Sequence, residues 1–115
     1  AVVFRKSRAL HAGGYRHAPW IEDYDLWIRM LMDGSRGYNL EEPLVCMRVN
    51  SDTYMRRGGR EYLKSMKAFN RKYYKAGWFS FADYMVRTSA NILVALSTNR
   101  LRDIIYKKFL RKQSI

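Results

Sequence analysis

Apolar positions recur along the chain in two rhythms. A continuous run, Val2-Val3-Phe4, rich in β-branched and aromatic side chains, predicts a short strand over 1–5. Ser7 is placed to cap one or two helical turns that Gly13-Gly14 then stop. Residues 15–21, with Pro19, read as a loop. Leu26, Trp27, Met30 and Leu31 follow at helical spacing and predict a helix over 24–33, terminated by Gly34. Residues 38–40 and 44–49 read as extended segments on either side of Pro43, and 50–59 as a polar loop.

Beyond residue 59 only the helical rhythm remains. Tyr62, Met66, Phe69 and Tyr73 form one stripe of a helix over 60–76 that Gly77 ends. Ser80 with Asp83 three residues on is a variant capping box opening a second helix, with Tyr84, Met85, Thr88, Ile92 and Leu96 on one face. A third helix, over 100–112, sets Leu101, Ile105 and Phe109 against Lys107, Lys108, Arg111 and Lys112. The expectation is a helix-rich α+β chain divided into 1–57, of mixed structure, and 58–115, a basic helical tail.

Composition narrows the picture. The chain has 115 residues, 48% hydrophobic and 28% charged, enough for a packed core. The longest apolar run, 92–96, is far short of the roughly 20 residues that span a membrane. The first residues carry neither an initiating Met nor a signal-peptide order, so the expectation is a piece of a longer protein. One cysteine, Cys46, excludes an intrachain disulfide, and no Cys/His spacing suits zinc; Cys46 is expected as a small buried hydrophobe in a reducing compartment.

The formal charge of +12 is unevenly spread. Residues 1–55 carry seven Arg/Lys and seven Asp/Glu, whereas 56–115 carry fifteen bases against Glu61, Asp83 and Asp103. The back half therefore attracts polyanions, and the front half gathers its acids around one stretch. In that stretch Glu22, Asp23 and Asp25 crowd the point where the loop enters a helix. Two readings fit. In the first, Asp23 is an N-cap, Asp25 tunes the helix dipole and Glu22 is solvated. Alternatively, an ionised carboxylate held at a helix start is a competent general base for a hydroxyl nucleophile.

The string Glu22-Asp23-Tyr24-Asp25-Leu26-Trp27-Ile28-Arg29-Met30 resembles the Glu-Asp motif of family 2 inverting glycosyltransferases of the GT-A fold. Val3-Phe4-Arg5-Lys6-Ser7 followed by Ala12-Gly13-Gly14-Tyr15 resembles the strand and glycine-rich turn before that motif. Asn39-Leu40-Glu41-Glu42-Pro43-Leu44-Val45-Cys46-Met47-Arg48-Val49 resembles the strand after it. The resemblance covers about residues 2–57 and implies the acceptor-side half of a GT-A α/β domain, followed by about three helices.

It also implies a mechanism. Asp23 would deprotonate the acceptor hydroxyl, which attacks the anomeric carbon of a nucleotide-sugar with inversion. Glu22 would hold the acceptor or orient the loop, Trp20 and Tyr15 would stack on a sugar ring, and Arg56 and Arg57 would face the departing diphosphate. For Trp20 and Tyr15 ordinary packing, and for the arginines a solvated basic loop, explain the residues equally well. Family members hold Mg²⁺ or Mn²⁺ with an Asp-x-Asp motif at a strand end. Here Asp23-Tyr24-Asp25 has those letters only inside the Glu-Asp motif, so the metal and donor sites are expected in residues absent from this chain, which alone is expected to be inactive.

The partners implied are a nucleotide-sugar donor, a glycan or lipid-linked acceptor, an anionic membrane surface reached through 100–112, and self-association through unpaired strand edges, in the cytoplasm or at its membrane face. The alternative is a basic helical module for nucleic acid or membrane docking, using the fifteen bases interleaved with Tyr73, Tyr74, Trp78 and Phe79.

Overall fold

A computed structural model describes residues 2–46, 48, 58–105 and 108. Five helices occur among them: α1 (Lys6–His11), α2 (Glu22–Met32), α3 (Arg60–Lys75), α4 (Phe81–Leu96) and α5 (Asn99–Ile105). The chain divides into two units, Ala1–Arg48 and Val49–Ile115.

The expected strands are absent among the described residues. Val3, Tyr38, Leu40, Leu44 and Val45 belong to no regular element and are exposed, and Cys46 is exposed rather than buried. A strand satisfies its backbone only against a neighbour about 4.8 Å away, and no described segment supplies one. The fold shown is helix-rich; the α+β part of the expectation is not.

In the first unit, α1 and α2 pack through Ala9, Leu26 and Met30, with Ala12 and Trp27 partly buried against them. α1 ends where the Gly14 N–H donates to the Ala9 carbonyl (2.8 Å) and the Gly13 N–H to the Leu10 carbonyl (3.0 Å). This paired closure requires a left-handed residue, and Gly13 adopts it at φ +87°. α2 ends the same way, with Ser35 donating to Met30 and Gly34 to Leu31. The helix starts differ from expectation. α1 begins after Arg5 and α2 after Ile21, neither with a side-chain cap, so Ser7 and Asp23 are not N-caps.

In the second unit, α3 and α4 form an antiparallel pair. α3 buries the expected stripe, Tyr62, Met66, Phe69 and Tyr73, and closes at Gly77 with the same paired bonds, Trp78 to Tyr73 and Gly77 to Tyr74. Phe69 and Tyr73 meet edge to face at 4.8 Å, and Phe79 tucks beside both. Ser80 and Asp83 form the expected capping box in both directions, at 3.1 Å each way. α4 meets α3 through aromatic and polar groups: Tyr74 stacks on Tyr84 at 5.0 Å and meets the edge of Phe81 at 6.2 Å, and the Asn70 amide, almost wholly buried, donates to Asn91 Oδ1 (2.9 Å) and Thr88 Oγ1 (3.3 Å). Val94 and Ala95 are buried, while Met85 and Leu96, from the face read in the sequence, are exposed. Of the third predicted helix the described part is α5; Lys107, Phe109, Arg111 and Lys112 lie outside the described residues.

Candidate functional site

The first unit brings the acidic cluster and the glycine turn together. Glu22, Asp23 and Asp25 occupy the first turn of α2, where unpaired N–H groups and the helix dipole favour negative charge. Their side chains diverge. Asp25 is 1% exposed and accepts from Arg29 Nε at 2.8 Å. Asp23 is exposed, and its Oδ1 accepts the Tyr15 hydroxyl at 2.8 Å. Glu22, the first helical residue, is exposed to solvent.

Arg29 ties this arrangement to the preceding turn. One Nη donates to the Ala12 carbonyl and the other to the Gly14 carbonyl (2.7 Å), while Nε stays on Asp25. One planar guanidinium therefore joins the α1 terminus, the glycine turn and the start of α2. Tyr15 is the next residue after Gly14, so the same fork sets where its hydroxyl can reach. Elsewhere His11 Nε2 lies 3.3 Å from Asp33 Oδ2, an exposed pair that contributes little to stability.

The Asp23 carboxylate raises the Tyr15 phenol above its ordinary 10.0, first by accepting its hydrogen bond, with desolvation and charge repulsion adding to it. Trp20 stands at the third position of a turn closed by the Ile21 N–H on the Ala18 carbonyl (2.9 Å), with Pro19 before it. That position of a type II turn calls for positive φ, and Trp20 takes φ 69° where glycine is usual. Its ring is 46% exposed.

Of the residues expected at a site, Tyr15, Trp20, Glu22 and Asp23 thus lie on the loop and first turn of one helix. Arg56 and Arg57 lie outside the described residues. Asp25 and Arg29 were missed as the scaffold of that turn. The i, i+4 spacing of an acid and a base on one helix was the available signal. Of the aromatic residues that the nucleic-acid alternative would use, Tyr73 and Phe79 are buried in the core of the second unit, whereas Tyr74 and Trp78 are each 39% exposed.

The described residues do not suit a divalent ion. They contain no group of three or more His, Cys, Asp or Glu side chains able to hold one, and the two carboxylates of Asp23-Tyr24-Asp25 are directed to different partners, Tyr15 and Arg29.

Sequence comparison relates the chain to bacterial glycosyltransferases. It is 36% identical, over 97% of its length, to the Escherichia coli UDP-Gal:alpha-D-GlcNAc-diphosphoundecaprenol beta-1,3-galactosyltransferase. It is 42% identical, over 56% of its length, to the amylovoran biosynthesis glycosyltransferase AmsE of Erwinia amylovora. A Haemophilus influenzae glycosyltransferase is 33% identical over 96% of the chain. The chain spans 41% of the length of the first and third of these proteins and 24% of the second. No family model and no solved structure matches it.

Proposed function

We propose that this chain is the acceptor-side portion of a bacterial inverting glycosyltransferase of family 2, acting in polysaccharide or cell-envelope glycan synthesis, with Asp23 as general base. The observation that carries the reading is the setting of Asp23. It is exposed in the first turn of α2, with one oxygen held by Tyr15 and, among the described residues, no partner on the other. Relationship to glycosyltransferases over nearly the whole chain supports it.

In the reaction, Oδ2 of Asp23 takes the proton of an acceptor hydroxyl. The freed oxygen attacks the anomeric carbon of a nucleotide-sugar from the face opposite the nucleoside diphosphate. The new glycosidic bond forms as the bond to the diphosphate oxygen breaks, which inverts that carbon. Glu22, beside the base, is positioned to bind the acceptor, and the exposed faces of Trp20 and Tyr15 to stack on its ring. Arg56 and Arg57 belong to this reading as the diphosphate's basic partners. A divalent metal and its ligands are assigned to parts of the protein other than this chain, which by itself should neither bind a nucleotide-sugar tightly nor turn one over.

The galactosyltransferase relative is named for a diphosphoundecaprenol acceptor. By extension the acceptor here is lipid-linked and the enzyme works at the inner face of a membrane, with residues 100–112 among its basic contacts. The decisive experiment is Asp23→Asn in the full-length enzyme. Loss of a general base lowers turnover by about 10²–10⁴-fold with the fold intact. Turnover within a few-fold of wild type would remove Asp23 from the role.

A further inference from the structure

α4 carries a surface that the candidate site does not use. Each helical residue advances by about 100°, so Phe81, Met85, Leu96, Leu93 and Val86 fall, with Ala82 and Ile92, within one arc of about 140°. Exposure is 64% at Phe81, 47% at Met85, 69% at Val86, 61% at Leu93 and 75% at Leu96. Ser89 is the lone polar residue within the arc. The charged residues of the helix, Asp83 and Arg87, lie off it: Asp83 is in the capping box, and the Arg87 guanidinium stands 4.5 Å over the Phe79 ring. Trp78, 39% exposed, immediately precedes the helix. An uncharged exposed face of this size marks a surface made to be covered.

Charge selects what covers it. Residues 56–115 carry fifteen bases against three acids. A second copy would bring the same excess and be repelled. A polynucleotide would answer the charge but offers little to five large aliphatic and aromatic side chains. An anionic bilayer answers both, since headgroups attract bases while acyl chains accept an apolar helix face lying in the interface. No helix among the described residues is long and apolar enough to cross a membrane, so α4 would lie on the surface rather than span it.

We propose that α4 is a membrane-seating helix, its Phe81–Met85–Val86–Leu93–Leu96 face resting in the interface of an anionic bilayer. The inference rests on the reading of a lipid-linked acceptor, for which such seating would bring the site to its substrate.

The test uses the full-length protein with vesicles of phosphatidylglycerol and phosphatidylcholine, and with phosphatidylcholine alone. Wild type should co-sediment with the anionic vesicles and much less with the neutral ones. Val86→Asp with Leu93→Asp should weaken that binding by roughly tenfold or more, given two large apolar groups withdrawn from the interface. The thermal midpoint and turnover on a water-soluble acceptor analogue should hold. Leu93→Ser with Leu96→Ser is the milder pair, should the aspartates prevent folding. Vesicle binding left unchanged by both pairs would overturn the proposal. So would a drop in thermal midpoint with binding retained, which would show the face covered by the rest of the protein. A halved mass in ultracentrifugation, without vesicle binding by wild type, would assign the face to a second copy and likewise overturn it. Failure here leaves the catalytic reading standing, because that reading is tested by Asp23→Asn on the soluble acceptor.

Discussion

Arg29 and Asp25 form an ion pair of 2.8 Å between side chains that are 10% and 1% exposed, one helical turn apart. Burying an acid and a base is tolerable because the guanidinium also satisfies the Ala12 and Gly14 carbonyls. Arg29→Met would strand the Asp25 charge in the core and should cost about 3–5 kcal/mol. Asp25→Leu combined with Arg29→Met removes both charges and should lose less than the sum of the single changes. Urea denaturation of the four proteins of this cycle measures the coupling, and strict additivity would show that the pair does not act as a unit.

The Tyr15–Asp23 bond has its own optical signature. Because the phenol is raised above 10.0, the bond's contribution is present below that pH and is lost as pH rises through the higher native value. Following phenolate absorbance with pH, Asp23→Ala should bring one tyrosine back towards ordinary behaviour, and Tyr15→Phe should delete that same transition. An unchanged titration in Asp23→Ala would separate the two residues in solution.

Trp20 holds a backbone conformation that costs a side-chain-bearing residue roughly 1–2 kcal/mol. Trp20→Gly removes that cost, so stability should hold or rise by up to about 1 kcal/mol. If the half-exposed ring meets the acceptor, the KM for acceptor should rise several-fold. Lower stability at unchanged KM would assign the ring to packing.

The capping box of α4 gives a prediction in the second unit. Ser80→Ala removes the acceptor for the Asp83 N–H and should lower stability by about 1 kcal/mol, read as a shift in thermal midpoint. Hydrogen bonds from Ser80 hold the Asp83 carboxyl below its ordinary 3.8. Its share of stability is therefore present above pH 3.8 and lost as pH falls through the lowered native value. The acid limb of the stability profile should be shallower in Ser80→Ala.

Helix stops were the most legible part of the fold. Gly13, Gly34 and Gly77 each follow the last apolar position, and each closes its helix through the same pair of backbone bonds. Ser80 and Asp83 were equally plain, because a cap is a local event. Extended segments such as 38–40 were not, because a strand's hydrogen bonds belong to a neighbour that local pattern does not name. Within the candidate site the carboxylate cluster was visible, and its division of labour was not. Asp23 and Asp25 are two residues apart, yet one faces solvent and the other the core, and that difference comes from Arg29 reaching carbonyls 17 and 15 residues earlier. On α4, Met85 and Leu96 share a face with Ile92 in sequence, but α3 engages the neighbouring polar strip through Asn70, which turns that face outward.

Arg102 is buried at the end of α4, where Nε donates to the Val94 carbonyl (3.1 Å), one Nη to the Ser97 carbonyl (2.8 Å) and the other to Asn99 Oδ1 (3.1 Å). Gly58 lies against that guanidinium so closely that a methyl group there would overlap its Cζ and both Nη atoms. A flexible side chain would step aside, but this one is pinned by three acceptors. The two positions, 44 residues apart, are therefore under a joint constraint. Across diverging relatives a larger residue at 58 should occur only together with a smaller one at 102, and a pairwise covariation signal should link them.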